Sequence, residues 1–507
     1  MPQAGLLELV AHGIQDIFLI GNPQITFFKT VYKRHTNFSM EAYQLSYDQT
    51  PAWGSKTTFN ISRYADLMYT MILEVDLPKL YCKTTGDLTN GNILSDFDKG
   101  NGSTTLSWVN NTGHALLSYC ELRIGKQLID TQYGEWMEIW TQLSQSESKK
   151  RGLDLMLNRN TNLETKQGPF TAYVPLQFWF CRNIGLALPL VALQYHDVEL
   201  VVNFRPLNQM TTFGANNYYF ATSNNSTTLS VFRDSINSPL LDTSGIRGKI
   251  IVFANGAEYY IDPLNIISGG TQDGLTLTPY LVKMVLPIPA GFSLTKIYIK
   301  PNGTLDLSYP TKMTEVRLYV DYIYLDTIEQ REFANAKHRY LIEQVQNSGA
   351  ESIIANTSTL RFPLPFNLPI KELFWVVQLN DVYITNDLFN YSNTIDPVVP
   401  PDNSITSAII YINGIERFSV RKGDYFRLIQ PYQKHTRSPN GFIYIYSFSV
   451  KPEEHQPSGC SNFSKIDTKE IFLNIPSNTG SQQLRVYALS YNILRIMSGM
   501  GGLAFSS

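Results

Sequence analysis

The stretch from residue 317 to residue 346 constrains the fold most, because its hydrophobic periodicity changes twice. At its start, apolar and polar residues alternate, which is typical of a β-strand with one buried face. The polar face carries Arg317 and Asp321. The residues predicted to lie on the buried face are Leu318, Val320, Tyr322 and Tyr324.

A short helix is predicted directly after this strand. Thr327 supplies a hydroxyl group and Gln330 follows three residues later, an arrangement that forms a capping box at the start of a helix. The helix must be short, because a β-rich run begins again at Tyr340. The stretch therefore predicts a strand, a helix and a second strand, with the helix as a bridge between two β halves.

The same order of elements occurs on both sides of this bridge. Each half contains a strand that breaks at a glycine, Gly125 or Gly414, and a helical run follows. An aromatic strand comes next, starting at Val174 in one half and at Phe442 in the other, and a long alternating strand closes each half. This repeated order indicates a duplicated β domain, although the two halves match in pattern rather than in identity.

Composition supports two β-rich halves and excludes several function classes. A chain of 507 residues with 12% aromatic and 17% charged residues suits many strands joined by turns, as in a sandwich or barrel in each half. The net charge of −2 provides no basic surface for direct nucleic-acid binding. The four cysteines are far apart and follow no CxxC spacing, which favours a reducing compartment. Neither a secretory signal nor a membrane-spanning run is expected.

The pattern of elements predicts where the chain divides. Residues 5–20 have the spacing of an amphipathic helix, which either packs on its own domain or lies against a partner or membrane surface. The predicted segments are an N-terminal arm at 1–26, a first domain at 27–326 with long loop insertions at 83–114 and 206–312, a linking helix and the start of the second domain at 327–348, and the remainder of the second domain at 349–507.

No catalytic, cofactor-binding or metal-binding residue is predicted. The seven histidines are dispersed, and no nucleophile elbow, phosphate loop or dinucleotide fingerprint is present. Two acid pairs, Glu453 with Glu454 and Asp381 with Asp387, would form a glycosidase site only if they faced each other in space. A structural building block is therefore favoured, and a two-domain β-sandwich carbohydrate-binding protein or glycosidase is the alternative.

Six blocks of the sequence carry a resemblance to a known family. They are Ile14–Phe38, Val174–Leu200, Val320–Gln346, Glu372–Gln378, Tyr446–Asp467 and Tyr491–Ser506. These blocks resemble the major capsid protein of nucleocytoplasmic large DNA viruses, nearest to the phycodnavirus, iridovirus and mimivirus-like branches. They occur in the family's order along the whole chain, whereas the two long insertions show no clear match.

The resemblance implies an all-β double jelly roll, that is, two consecutive eight-stranded β-sandwiches. It also implies a non-enzymatic protein that forms homotrimeric capsomers with a pseudo-hexagonal outline. These capsomers would tile an icosahedral shell around an inner membrane and double-stranded DNA, with assembly in the host cytoplasm. The implied partners are further copies of the chain and minor capsid proteins, with the inner membrane as a further candidate, through residues 1–25.

Particular residues receive structural rather than chemical expectations. The aromatic residues Phe178, Trp179 and Phe180, and likewise Phe374 and Trp375, are expected to be sheet residues whose alternate members fill the cores. The polar segment 452–459 is either a turn or a subunit contact. A minor, penton-type capsid protein is disfavoured, because such proteins have a single jelly roll and this chain repeats its pattern.

Overall fold

The fold is taken from a computed structural model of the chain. The N-terminal arm helix and most of both predicted insertions lie outside the residues that it describes. Those residues are 28–80 apart from 33, 107–160, 168–212, 311–394 apart from the side chains of 384 and 385, 400–476 and 480–505, with the backbone of short strands between these ranges.

The first half is a sandwich of two antiparallel sheets. The strands are β1 (Phe38–Leu45), β2 (Lys56–Ile61), β3 (Leu67–Leu77), β4 (Leu117–Ile124), β5 (Gln127–Tyr133), β6 (Phe170–Pro175), β7 (Val198–Phe204) and β8 (Glu315–Leu325). One sheet has the strand order β6-β3-β8-β1 and the other β2-β7-β4-β5, so neighbours in space come from distant parts of the chain, as in a jelly roll.

The second half repeats this order. Its strands are β9 (His338–Ile353), β10 (Thr359–Pro363), β11 (Pro369–Leu379), β12 (Ser407–Ile412), β13 (Ile415–Glu416), β14 (Tyr444–Ser447), β15 (Lys469–Asn474) and β16 (Gln482–Met497). The two sheets have the strand orders β9-β16-β11-β14 and β10-β15-β12-β13, which is the arrangement of the first half strand for strand. The predicted double jelly roll is therefore confirmed.

Helices and short strands connect the sandwich strands. Among the described residues, the helices are α1 (Thr112–Ala115), α2 (Gly134–Ser144), α3 (Glu147–Met156), α4 (Trp179–Arg182), α5 (Leu207–Met210), α6 (Thr327–Asn335), α7 (Val382–Thr385) and α8, which is a π-helical turn (Tyr425–Ile429) continued by Gln430–Lys434. Single 3₁₀ turns lie at Ile184–Leu186, Leu190–Ala192 and Phe463–Lys465. Short strands lie at Gln24–Ile25, Thr30–Val31, Cys82–Lys83, Thr105–Trp108, Leu188–Pro189, Thr211–Gly214, Arg421–Lys422, Ser461–Asn462 and Met500–Leu503, with others within 220–305.

The linking helix α6 follows β8 as predicted, but its cap is one residue earlier. The carboxylate of Asp326 accepts hydrogen bonds from two backbone amides of the first turn, at 2.9 and 3.0 Å. Thr327 is instead the first helical residue, and the side-chain amide of Gln330 donates to Asp66 at 2.8 Å. A charged carboxylate caps this helix well because it also interacts favourably with the positive end of the helix dipole.

The β8 pattern is confirmed, whereas the aromatic strand predicted from Val174 is wrong beyond Pro175. The four predicted inward residues of β8 are buried. Phe178, Trp179 and Phe180 leave the sheet for a turn and α4, and all three are fully buried. Helical backbone turns successive side chains by about 100° rather than to opposite faces, so three consecutive rings can join one apolar cluster.

The last residues of the first predicted insertion pack in the core of the first half. Trp108 ends a short strand that pairs with Thr211–Gly214, and both Trp108 and His114 are fully buried. The indole nitrogen of Trp108 donates to the carbonyl oxygen of Pro78 at 3.2 Å. The Asn, Gly and Thr residues around this segment resemble a loop in composition, yet they form tight turns that hold a large core ring.

Two glycine substitutions are expected to have opposite effects. A Cβ at Gly134, where α2 begins, would collide with the carbonyl oxygens of His114 and Leu117, whereas a Cβ at Gly152 in α3 meets nothing within 4 Å. Gly134→Ala should therefore lower the free energy of unfolding by roughly 2 kcal/mol or more, and Gly152→Ala should raise it by about 0.5–1 kcal/mol. Urea denaturation of both variants measures the difference, and a Gly134→Ala variant as stable as the wild type would contradict this packing.

Candidate assembly interface

Helix α2 of the first half packs on the outer face of a sheet of the second half. Trp136 meets Phe374 of β11 edge-on, with ring centroids 4.9 Å apart, and lies 5.9 Å from Tyr487 of β16. Trp140 adds a contact to Phe374 at 6.5 Å. These four rings are at most 4% exposed. The contact joins the two sandwiches through a continuous apolar layer, with the character of an obligate interface.

Strand β11 is consequently buried on both faces. Trp375 belongs to the core of the second sandwich, whereas Phe374 belongs to the apolar cluster of the first half. The expectation that alternate members of this pair fill cores is confirmed, but they fill two different ones. Sequence alternation cannot show this, because a strand covered on both sides is apolar throughout.

Ion pairs cross the same contact. Glu135 of α2 accepts a hydrogen bond from the hydroxyl group of Tyr487 at 2.9 Å and lies 3.5 Å from the guanidinium of Arg485. Arg205 of the first half approaches the same carboxylate to 3.3 Å. Burial and the nearby Glu135 charge hold the pKa of Tyr487 well above its ordinary value. The tyrosine therefore remains a neutral hydrogen-bond donor. The carboxylate of Glu135 contacts side chains of both halves.

A buried histidine also lies at this contact. The ring of His435 places one nitrogen 2.9 Å from Glu372 and the other 2.9 Å from Glu453, while Trp140 meets it edge-on at 6.2 Å. Burial alone would lower the pKa of His435, but the two carboxylates outweigh burial and raise it to about 9. The ring is therefore a charged imidazolium at neutral pH, with no exposed side-chain surface.

A third cluster joins the halves around Glu343. Its carboxylate contacts the ammonium group of Lys371 and lies 2.8 Å from Arg182, which comes from the first half. Burial lowers the pKa of Lys371, and Glu343 opposes that effect. Arg182 also lies over the ring of Trp140 at 4.9 Å, a cation–π distance. None of these charged contacts is evident in the sequence, because the partners are far apart along the chain.

The cluster that most resembles catalytic machinery is almost entirely buried. His114 contacts Glu138 at 2.9 Å, and Arg159 pairs with the same carboxylate. Burial lowers the pKa of His114, and the histidine and arginine together hold the pKa of Glu138 at about 2 despite its burial. The histidine has no exposed side-chain surface, so its contacts orient α1 and α2 rather than meet a substrate.

Glu453 and Glu454, the candidate acid pair that follows β14, bind different partners. Glu453 is held by His435 and by the backbone amide of Thr436, whereas Glu454 pairs with Lys451 at 2.8 Å. Within the described ranges, no group of three or more His, Cys, Asp or Glu side chains could hold a metal ion. The helices of the described part include none with the length and apolarity needed to cross a membrane.

Comparisons with known proteins agree along the whole chain. A family described as "Major capsid protein N-terminus" matches residues 26–239, and "Large eukaryotic DNA virus major capsid protein" matches residues 329–502. The major capsid protein of Pyramimonas orientalis virus is 34% identical, with 99% of each chain covered. The chain belongs to the family of large eukaryotic DNA virus major capsid proteins. The major capsid protein of Paramecium bursaria Chlorella virus 1 is 32% identical, with 99% of both chains covered.

Solved structures of capsid proteins share the fold. A PBCV-1 virus capsid structure superimposes with a TM-score of 0.63 at 26% identity, covering 95% of this chain and 100% of that one. The Faustovirus major capsid protein gives the same TM-score at 12% identity, with 94% and 93% covered, which supports the fold alone. Membership of this family makes the chain a structural protein rather than an enzyme, and the carbohydrate-binding alternative receives no support.

Proposed function

We propose that three copies of this chain form a capsomer with a pseudo-hexagonal outline, and that such capsomers build the icosahedral shell of a large double-stranded DNA virus. The strongest support is the identical strand order of the two sandwiches. Three copies would present six similar units around one axis, so a three-fold assembly can fill a hexagonal lattice position. The capsid proteins that share this family and fold support the same role.

Further parts of the proposal concern the division of the chain, the N-terminal arm and the place of assembly. We propose that the chain divides at 1–26, 27–326, 327–348 and 349–507, and that the arm at 1–25 faces minor capsid proteins or the inner membrane. Assembly takes place in the host cytoplasm, and the shell does not bind the genome directly, since the net charge of −2 offers no electrostatic attraction. Comparing the full chain with a variant lacking residues 1–26 in vesicle flotation tests the membrane contact.

The oligomeric state tests the central proposal. Light scattering after gel filtration should give three times the chain mass of 57.5 kDa, unchanged on dilution. Electron microscopy of concentrated samples should then show sheets or shells of capsomers. A chain that stays monomeric at every concentration, or a monomer that binds glycans, would contradict the proposal.

A further inference from the structure

The helices α2 and α8 occupy the same place in their two halves. A Cβ at Gly134, where α2 begins, or at Gly423, just before α8, would collide with a backbone carbonyl oxygen of the same half. Three residues after each glycine, Met137 and Phe426 are both fully buried. The two glycines allow the same close approach, and the two apolar anchors fix each helix to its own sandwich.

The sheets that face these helices also correspond. Tyr487 of β16 pairs with Phe374 of β11, and Tyr319 of β8 pairs with Ile72 of β3. In both β8 and β16, an arginine precedes this tyrosine by two residues and therefore lies on the same face. The outer face of β3 and β8 is thus the first-half counterpart of the surface that α2 covers in the second half.

The two surfaces differ in whether they are covered. Phe374 and Tyr487 are fully buried beneath α2. Their counterparts Ile72 and Tyr319 are partly exposed, although both lie in the middle of a sheet. The first-half surface therefore exposes apolar side chains to solvent at the position where α2 covers the second-half surface.

Helix α8 shows the complementary difference. The apolar residues of α2 are buried, whereas three apolar residues of α8 that follow its anchor are exposed, although Gln430 and Pro431 between them are buried. Leu428 is 42% exposed, Ile429 46% and Tyr432 83%. An apolar helix face of this kind marks an interaction site.

We propose that α8 of one copy packs against the outer face of β3 and β8 of the next copy, in the way that α2 packs on β11 and β16 within a chain. This contact rests on the proposed self-association and identifies its surfaces. It is head-to-tail, because a helix meets a sheet and two identical surfaces never face each other. In a trimer, the contact between the two halves of each copy alternates with the contact between neighbouring copies. Three contacts of each kind close a ring.

Charge complementarity favours this pairing over contact with an unrelated partner. The sheet surface is net acidic, whereas residues 421–434, which comprise α8 and the short strand before it, are net basic, so the two surfaces attract each other and fix their register. The sheet surface carries Glu74, Asp76, Glu315 and Asp321 with Arg317, and residues 421–434 carry Arg421, Lys422, Arg427 and Lys434 with Asp424.

A charge placed on the helix face tests the proposal. Ile429→Glu should raise the dissociation constant of the trimer about 100-fold or more, because burial of an unpaired carboxylate disrupts a packed interface. Ile354→Glu is the matched control, since Ile354 is 79% exposed at the turn between β9 and β10, and this variant should remain trimeric. Light scattering over a dilution series measures both variants, and circular dichroism confirms that each is folded.

Mixing two defective variants tests the head-to-tail geometry. Ile429→Glu damages the helix surface and Ile72→Glu the sheet surface, so each should be monomeric alone. An equimolar mixture retains one intact helix and one intact sheet, which should form a one-to-one dimer that cannot close into a ring. A trimeric Ile429→Glu variant, or a mixture that stays monomeric, would overturn this contact. A monomeric wild type would instead contradict the proposed capsomer itself.

Discussion

Trp136→Ala is expected to lower the free energy of unfolding by about 3–5 kcal/mol, because it removes a large ring from the contact between the two halves. The indole is 1% exposed and touches rings from both sides, Trp140 in its own helix and Phe374 and Tyr487 in the second half. The surrounding sheets cannot collapse into the space, since strands β11 and β16 are fixed on their other face. Urea denaturation monitored by circular dichroism measures the loss.

A double-mutant cycle shows whether this loss arises across the contact. Trp136→Ala and Phe374→Ala remove two rings that share one edge-to-face contact, so their combined cost should differ from the sum of the single costs by about 1 kcal/mol. The control Ile354→Ala removes a side chain that is 79% exposed and should change stability by less than about 0.5 kcal/mol. Additive costs for the two aromatic substitutions would show that these rings stabilise their halves separately.

The architecture could be predicted because it depends on local patterns. The alternation in β8 and the turns at Gly125 and Gly414, which have φ values of +55° and +77°, are properties of short stretches. The repeated order of strand, glycine turn and helix reflects a jelly roll that occurs twice. The long blocks in the family's order then predicted the double jelly roll. The identical strand order of the two halves in the structure confirms this prediction.

The contact between the halves could not be predicted, because it depends on what covers each surface. Phe374 and Ile72 occupy corresponding positions in β11 and β3, yet one is buried and the other partly exposed. The hydrophobic continuity of β11 indicates a strand buried on both faces but does not identify its partner. The aromatic run from Phe178 to Phe180 gave a wrong strand for a related reason, since periodicity alone does not distinguish a short apolar strand from a buried helical turn.

The charged groups of the contact were missed entirely. Glu135, Arg485 and Arg205 meet from sequence positions far apart, and isolated charged residues are normally assigned to solvent. Their burial has a physical cause in the duplication. In a single jelly roll, the outer face of the sheet can remain exposed to solvent. In a jelly roll that is fused to a second copy, this face is covered by the other half, and each buried charge then requires a partner.

His435→Gln is expected to lower the free energy of unfolding by about 3–5 kcal/mol at pH 6.5, because it leaves buried carboxylates without their cation. Glu372 has no exposed side-chain surface and Glu453 is largely covered. Glutamine can donate one hydrogen bond to either carboxylate but carries no charge. His338→Gln controls for the loss of a histidine as such, since the ring of His338 contacts the carbonyl oxygen of Phe333.

The pH dependence of this loss is specific to a charged His435. Its pKa is about 6.5 in the unfolded chain and is raised to about 9 in the fold. A raised pKa means that the folded state binds the proton more tightly, so the stabilisation is complete below pH 6.5 and declines as the pH rises to 9. At about 1.4 kcal/mol per pKa unit, wild-type stability should fall by roughly 3 kcal/mol over that interval relative to His435→Gln.

Denaturant unfolding of wild type and variant at intervals from pH 6 to pH 9.5 measures this difference directly. A constant difference across the range would show that the fold does not raise the pKa of His435. Adding Glu372→Gln to His435→Gln should restore part of the lost stability, because it removes the carboxylate that the single variant leaves buried and unpaired. Such a restoration would show that the imidazolium of His435 and the carboxylate of Glu372 stabilise each other. Because His435 lies beside Trp140, loss of its charge at alkaline pH weakens the contact between the halves.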